Sequence, residues 1–260
     1  MIKKRLLILG GTTEALQLHS LVTNIPNLEV ITSLAGRTSQ PISRSSRIGG
    51  FGGVSGLIEY LQREKIDFLI DATHPFASQM SWNAFKATKI VNIPSLQLLR
   101  SPWEQQEGDN WIEVDSNESA AQILSDLAER IFLTIGRQEL ATYAHLHTLW
   151  FLMRMIESPS PPLPSGHLLL ARGPFSLVGE EFLLQKYNIQ AVVTKNSGGS
   201  ATYPKIIAAR KLGLPVVMIQ RPCVPEGDRV FDIQGAFDWL IKLISFNSNI
   251  LSNRRQGFPS

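Results

Sequence analysis

Short apolar runs of four to eight residues alternate with helical stretches along almost the whole chain, and glycine or a polar turn closes each run. Runs of that length suit strands buried on both faces, and strands separated by helices require crossover connections. That pattern leaves little choice but a mainly parallel sheet with helices on both sides, an α/β fold. It begins with "RLLILGG", which ends at Gly10-Gly11, and "TTEALQLHSLVTN", a helix with Leu16, Leu18, Leu21 and Val22 as apolar positions. "LEVITSLAG" is a second strand, and "GGFGGVSGLIEYLQREKI" a glycine loop entering a helix. "DFLIDATHPFA" is a strand with a polar exit, "SQMSWNAFKATKI" a helix and "PSLQLLRSPW" a further strand.

The alternation stops at "EQQEGDN", residues 104–110, which is polar and has no period. It resumes with "NESAAQILSDLAER" (helix), "IFLTIG" (strand), "RQELATYAHL" (helix) and "TLWFLMRM" (strand). A proline-rich loop at 157–166 follows, then strand "HLLLAR", helix "FSLVGEEFLLQKY", strand "IQAVVTK", helix "TYPKIIAARKLG", strand "LPVVMIQRP" and helix "GAFDWLIKLIS". Each half carries its own strands and helices, so the chain is expected to form two domains, 1–108 and 109–246. Residues 247–260 are expected to be a mobile tail.

Composition excludes several classes. The 43% hydrophobic and 18% charged residues are ordinary for a globular chain. The single cysteine rules out an internal disulfide and any multi-cysteine metal site; it suits a reducing, cytoplasmic setting, and no metal site is expected. No apolar run nears the roughly 20 residues of a membrane span. The net charge of +3 comes from dispersed arginines rather than a basic helix or face, which argues against nucleic acid.

Two glycine turns carry the chemistry. Gly10, Gly11, Thr12, Thr13 and Glu14 end the first strand and open the first helix. A helix N-terminus attracts phosphate, and glycines let it approach the backbone. A tight turn with a threonine cap is the other reading, since the G-x-G-x-x-G fingerprint is absent. The second strand exits as "TSLAGRTS", with Arg37 and no acid where an NAD-binding sheet usually has one; a dinucleotide here would favour NADPH over NADH. At the exit of "DFLIDATHPFA", Asp71, Thr73 and His74 are expected to face a ligand, with His74 either a proton donor or a loop brace. The second turn, "TKNSGG", puts Lys195 beside Ser197, Gly198 and Gly199 without matching the P-loop spacing. Arg137, Arg172 and Arg221 also follow strands of this half. Four cations at strand exits suit a ligand with several carboxylates.

"LILGGTTEA", "SLAGRT", "GGFGG", "DATHPFA", "MSWNA", "RGPF", "TKNSGG" and "LPVVMIQRP", in this order from residue 6 to 222, resemble the precorrin-6A reductases of cobalamin biosynthesis. The resemblance implies two Rossmann-like domains with the ligands in a cleft between them. It implies hydride transfer from NAD(P)H to a tetrapyrrole macrocycle, with or without cobalt, giving precorrin-6B. By position, Gly10 to Glu14, Arg37 and Thr73 would hold the nucleotide. Asp71, His74, Arg137, Arg172, Lys195, Ser197, Gly198, Gly199 and Arg221 would meet the substrate, with the Lys195 to Gly199 turn facing either the macrocycle or the nicotinamide. Lys195 is the first candidate for steadying charge during transfer and His74 for delivering the proton, unless solvent supplies it. Other enzymes of the pathway stay open as partners.

Three further readings compete. A methyltransferase of the same pathway would use S-adenosylmethionine, which has no phosphate for Arg37 to meet. A short-chain-type oxidoreductase on a small substrate relies on a tyrosine with a lysine four residues on, but Tyr60, Tyr143, Tyr187 and Tyr203 are followed there by Glu64, His147, Ala191 and Ile207. An NADPH-binding sensor without catalysis needs the first turn and no second, cationic one.

Overall fold

The computed structural model describes residues 3–34 and 46–255. The chain divides into two compact units, Met1–Arg100 with Cys223–Ser260 and Ser101–Pro222. The first unit opens with strands β1 (Lys4–Leu9), β2 (Leu28–Leu34), β3 (Ser46–Ile48), β4 (Phe68–Asp71) and β5 (Ser95–Leu98), and helices α1 (Thr13–Val22), α2 (Gly53–Arg63) and α3 (Ser78–Val91). The second holds β6 (Asn110–Val114), α4 (Asn117–Leu127), β7 (Arg130–Thr134), a 3-10 helix (Arg137–Tyr143), β8 (Trp150–Met155), β9 (Gly166–Leu170), α5 (Leu177–Lys186), β10 (Ala191–Lys195), α6 (Pro204–Lys211) and β11 (Pro215–Ile219). The chain then returns to the first unit as β12 (Arg229–Val230) and α7 (Ile233–Arg255).

Both sheets are parallel, with orders β3-β2-β1-β4-β5-β12 and β9-β8-β7-β10-β11-β6. The first is the doubly wound dinucleotide order, 3-2-1-4-5-6. The second repeats that order outward from β7, but its sixth position is filled by β6, which precedes β7 in the chain. Each sheet therefore has a switch point where the order reverses, between β1 and β4 and between β7 and β10. The α/β expectation of two mainly parallel sheets holds.

Strand alternation sets the layers of the first unit. Leu6, Ile8, Phe68, Ile70, Leu96 and Leu98 pack on the α1 and α7 side, with Ala15, Leu18, Val22, Ala236 and Leu240. Leu7, Leu9 and Leu69 pack on the other, with Leu57, Leu61, Ala84 and Ala87 of α2 and α3. Burying each such leucine or isoleucine contributes roughly 1.5–3 kcal/mol. In the second unit, Phe132, Leu152, Val192, Val216 and Met218 form one core with Leu184, Ile206 and Ala209.

Several expectations change. A single crossing near residue 108 is replaced by two, after Arg100 and after Pro222. The cause is the apolar stripe of α7: Ala236 and Leu240 are fully buried against α1, so the C-terminal segment belongs to the first core. Residues 247–255, expected as a tail, continue that helix. "NWIEV" is a strand, β6, at the sheet edge; its proximity to the polar break hid it. The helix expected over "RQELATYAHL" forms as a 3-10 helix and ends early, at Tyr143.

Candidate functional site

At the first switch point, β1 ends at Leu9 and the chain turns through Gly10 and Gly11. Gly11 has φ +113°, which disfavours any side chain, and no described residue other than its chain neighbours comes within 4 Å of where a Cβ would sit. Thr12 caps α1: its Oγ1 accepts from the Ala15 N–H at 3.1 Å and donates to the Ala72 carbonyl at 2.8 Å. This hydroxyl is thereby committed, and it ties the exit of β1 to the exit of β4. Glu14 in the first turn of α1 pairs with Arg100 at 2.8 Å, which offsets its negative charge beside an anion-attracting helix end.

The exit of β4 is braced from within. Asp71 is buried, and its Oδ1 accepts from both the N–H and the hydroxyl of Thr73, at 3.1 and 2.7 Å. Its side chain follows the alternation of β4 onto the α3 side of the sheet, beneath the turn it holds. His74 is exposed, and its Nδ1 accepts from the Phe76 N–H at 3.2 Å, which puts the hydrogen of the neutral ring on Nε2. The Ala77 N–H donates to the His74 carbonyl at 2.7 Å, starting α3. Arg37 lies outside the described residues.

At the second switch point, Lys195 closes β10 and its Nζ lies 2.7 Å from Glu139 Oε1 on the 3-10 helix after β7. The turn that follows is anchored by Asn196, 4% exposed. Its Oδ1 accepts from the Trp103 N–H at 2.8 Å, and its Nδ2 donates to the Trp103 carbonyl at 3.1 Å. Trp103 Nε1 in turn donates to the Gly199 carbonyl at 2.8 Å. Gly198 has φ +68°, and a Cβ there would lie 2.1 Å from the Ser101 carbonyl oxygen. Arg221 Nε donates to the Asn196 carbonyl at 2.8 Å. Ser197 donates its N–H to the Lys195 carbonyl at 2.7 Å.

Because all strands of this sheet are parallel, Arg221 after β11, Lys195 ending β10, Arg137 after β7 and Arg172 after β9 share its carboxyl edge. The structure thus brings the four cations to one edge, and there Lys195 pairs with Glu139 and Arg137 with Glu157 at 3.0 Å. Arg172 is exposed. Arg100, Trp103, Glu139 and Asn196 are structural members that sequence reasoning missed. Asn196 alone had a local signal, sitting inside "TKNSGG". Among the described residues no three acidic, histidine or cysteine side chains are grouped to hold a metal. Among them, too, no helix is long and apolar enough to cross a membrane.

Two parallel sheets of matching order, each with a glycine turn at its switch point, define a doubly wound α/β protein of the class that takes ligands at strand carboxyl ends. A family model described as precorrin-6x reductase CbiJ/CobK matches residues 5–241, and the chain belongs to that family. It is 45% identical to the precorrin-6A reductase of Rhodococcus erythropolis over 91% of this chain and 97% of that one. The cobalt-precorrin-6A reductase of Methanothermobacter thermautotrophicus is 28% identical over 93% of this chain and 85% of its own. A solved structure of CobK precorrin-6A reductase superposes with a TM-score of 0.85 at 42% identity, covering 92% of this chain and 96% of that one. Membership makes the chain an oxidoreductase of cobalamin biosynthesis, and the family implies a nicotinamide cofactor.

Proposed function

We propose that this protein reduces precorrin-6A with NADPH, holding the nucleotide on the first unit and the macrocycle carboxylates on the second. Its match to the cobalt-free reductase, at 45% identity against 28% for the cobalt-dependent relative, carries the choice of substrate. NADPH rather than NADH rests on Arg37 and the lack of an acid after the second strand.

The first turn fits a phosphate. Gly11 leaves open the space a Cβ would fill, and the N-terminus of α1 adds N–H groups and a positive partial charge. Gly10, Gly11, Thr13 and the α1 N-terminus with Glu14 would hold the nucleotide, with Thr12 shaping the turn and Thr73 flanking it. When bound, the nicotinamide supplies a hydride that, with a proton, saturates one double bond of the macrocycle. Arg137, Arg172, Lys195 and Arg221 would bind acetate and propionate groups, with Ser197, Gly198 and Gly199 offering the backbone between them. Glu139 holds Lys195 at the strand end, where its charge steadies electron density gained by the ring. His74, exposed and carrying its hydrogen on Nε2, is the candidate for proton delivery, and Asp71 fixes its loop through Thr73.

Separate KM values test the division of labour. Gly11→Ala should raise KM for NADPH by about tenfold and leave that for the macrocycle nearly unchanged, while Arg221→Ala should do the reverse. If either variant raised both constants alike, the assignment of one ligand to each unit would fail.

A further inference from the structure

The first unit contains a groove that neither glycine turn explains. In this unit α2 and α3 cover one face of the sheet, but no helix follows β5 on that face before the chain leaves after Arg100; α7 covers the opposite face. Beside α3 the sheet is therefore left with a cavity of about 370 Å³, whose described lining residues all belong to this unit. Asp71 and Gln97 both line it, and they are directly paired across β4 and β5. Both are more than nine-tenths buried, at 4% and 7% exposure.

Each of these side chains uses only half its capacity. Asp71 Oδ1 holds Thr73, while Oδ2 is buried with no hydrogen-bond partner among the described residues. Gln97 Nε2 donates to the Pro225 carbonyl at 2.9 Å; that bond fixes the amide's orientation and leaves Oε1 buried without a donor among the described residues. Two neighbouring acceptors, one of them a carboxylate oxygen, thus lack hydrogens, a costly state for buried oxygens. The lining includes a second acid, Asp228, and a single base, Lys89, which is exposed at the rim. Phe85 and Ile93 supply apolar wall.

We propose that this groove is a binding site for a small organic cation: a primary ammonium group donating to Asp71 and Gln97, carried on a compact apolar body against Phe85 and Ile93. Donors and positive charge are what the buried end lacks, and a neutral or anionic head would leave the carboxylate uncompensated. An occupant meets the same carboxylate whose other oxygen holds Thr73, so the site borders the β4 exit without belonging to either anion turn.

Benzylamine is the probe, titrated calorimetrically into the full chain without nucleotide or macrocycle, with benzyl alcohol as its neutral counterpart. The expected result is saturable one-site binding of benzylamine, at least about tenfold tighter than the alcohol, as a charge-assisted hydrogen bond implies. Gln97→Leu should weaken benzylamine by about tenfold and leave the alcohol nearly unchanged. NMR contacts between the probe's ring protons and Phe85 should place it. Equal binding of amine and alcohol, or no saturable binding of the amine, would overturn the proposal and leave a groove that holds only water. The comparison of probes on the unaltered protein stands even if Gln97→Leu fails to fold. Neither outcome bears on reduction of precorrin-6A, which is assayed separately.

Discussion

Lys205 lies near the start of α6, 3% exposed, with its Nζ donating to the Thr202 carbonyl at 3.0 Å and sitting 4.8 Å over the Trp103 ring. Burial, then the nearby Arg154 guanidinium, push its pKa down to about 7 from 10.5; Glu180, bound to Arg154 at 2.5 Å, works the other way. Between about pH 7 and 10.5 the unfolded chain therefore holds a proton that the native lysine has lost. Stability must rise with pH across that window, and the full penalty for charging the buried amine applies below it. At 1.36 kcal/mol for each tenfold change in proton affinity, the change from pH 7 to 10 amounts to about 3 kcal/mol. Other groups titrate in the same range, so the useful quantity is the difference between the protein and Lys205→Met, which keeps the volume and removes the charge. Urea unfolding at pH 7, 8, 9 and 10 should show the stability of the native sequence climbing relative to Lys205→Met by about that amount. A difference that stays flat with pH would refute the account of Lys205, whatever the absolute stabilities.

Other consequences are local. Leu240→Ala should cost about 2–5 kcal/mol by emptying a fully buried position of the first core, although Leu240 lies 140 residues past the chain's exit from that unit; a cost below about 0.5 kcal/mol by urea unfolding would contradict the return of α7. Gly198→Ala forces a Cβ to within 2.1 Å of a backbone oxygen at φ +68°, so KM for the macrocycle should rise severalfold or more while KM for NADPH stays put. Glu139→Gln releases Lys195 from its 2.7 Å ion pair and should tighten macrocycle binding, about three- to tenfold by equilibrium titration, because the ligand's carboxylates no longer compete with an internal one. Weaker binding in that variant would refute this prediction, showing that Glu139's hold on Lys195 outweighs its competition with the ligand's carboxylates.

Most strands, the helices and both glycine turns were legible because apolar run length, helical period and glycine are all local signals, whereas β3, β6 and β12, at or near the sheet edges, were not. Even the direction of Asp71 was available: Phe68 and Ile70 face one side of β4, so Leu69 and Asp71 must face the other. The domain boundaries were not, since the return of the chain at Cys223 depends on where the apolar side of α7 finds its partner, and α1 lies more than 200 residues earlier. The acids beside the cations were hidden for the same reason. Glu14 and Arg100 are 86 residues apart and Glu139 and Lys195 are 56 apart, separations that no spacing rule covers. Strand order alone brings them together, and it turns an apparently bare cationic edge into a partly neutralised one.

Anaerobic oxidation of NADPH, followed by its absorbance with precorrin-6A as acceptor and NADH in parallel, tests the central claim most directly. The account predicts oxidation that requires the macrocycle, is faster with NADPH and falls sharply in Lys195→Ala. Absence of macrocycle-dependent oxidation with either nucleotide would contradict it.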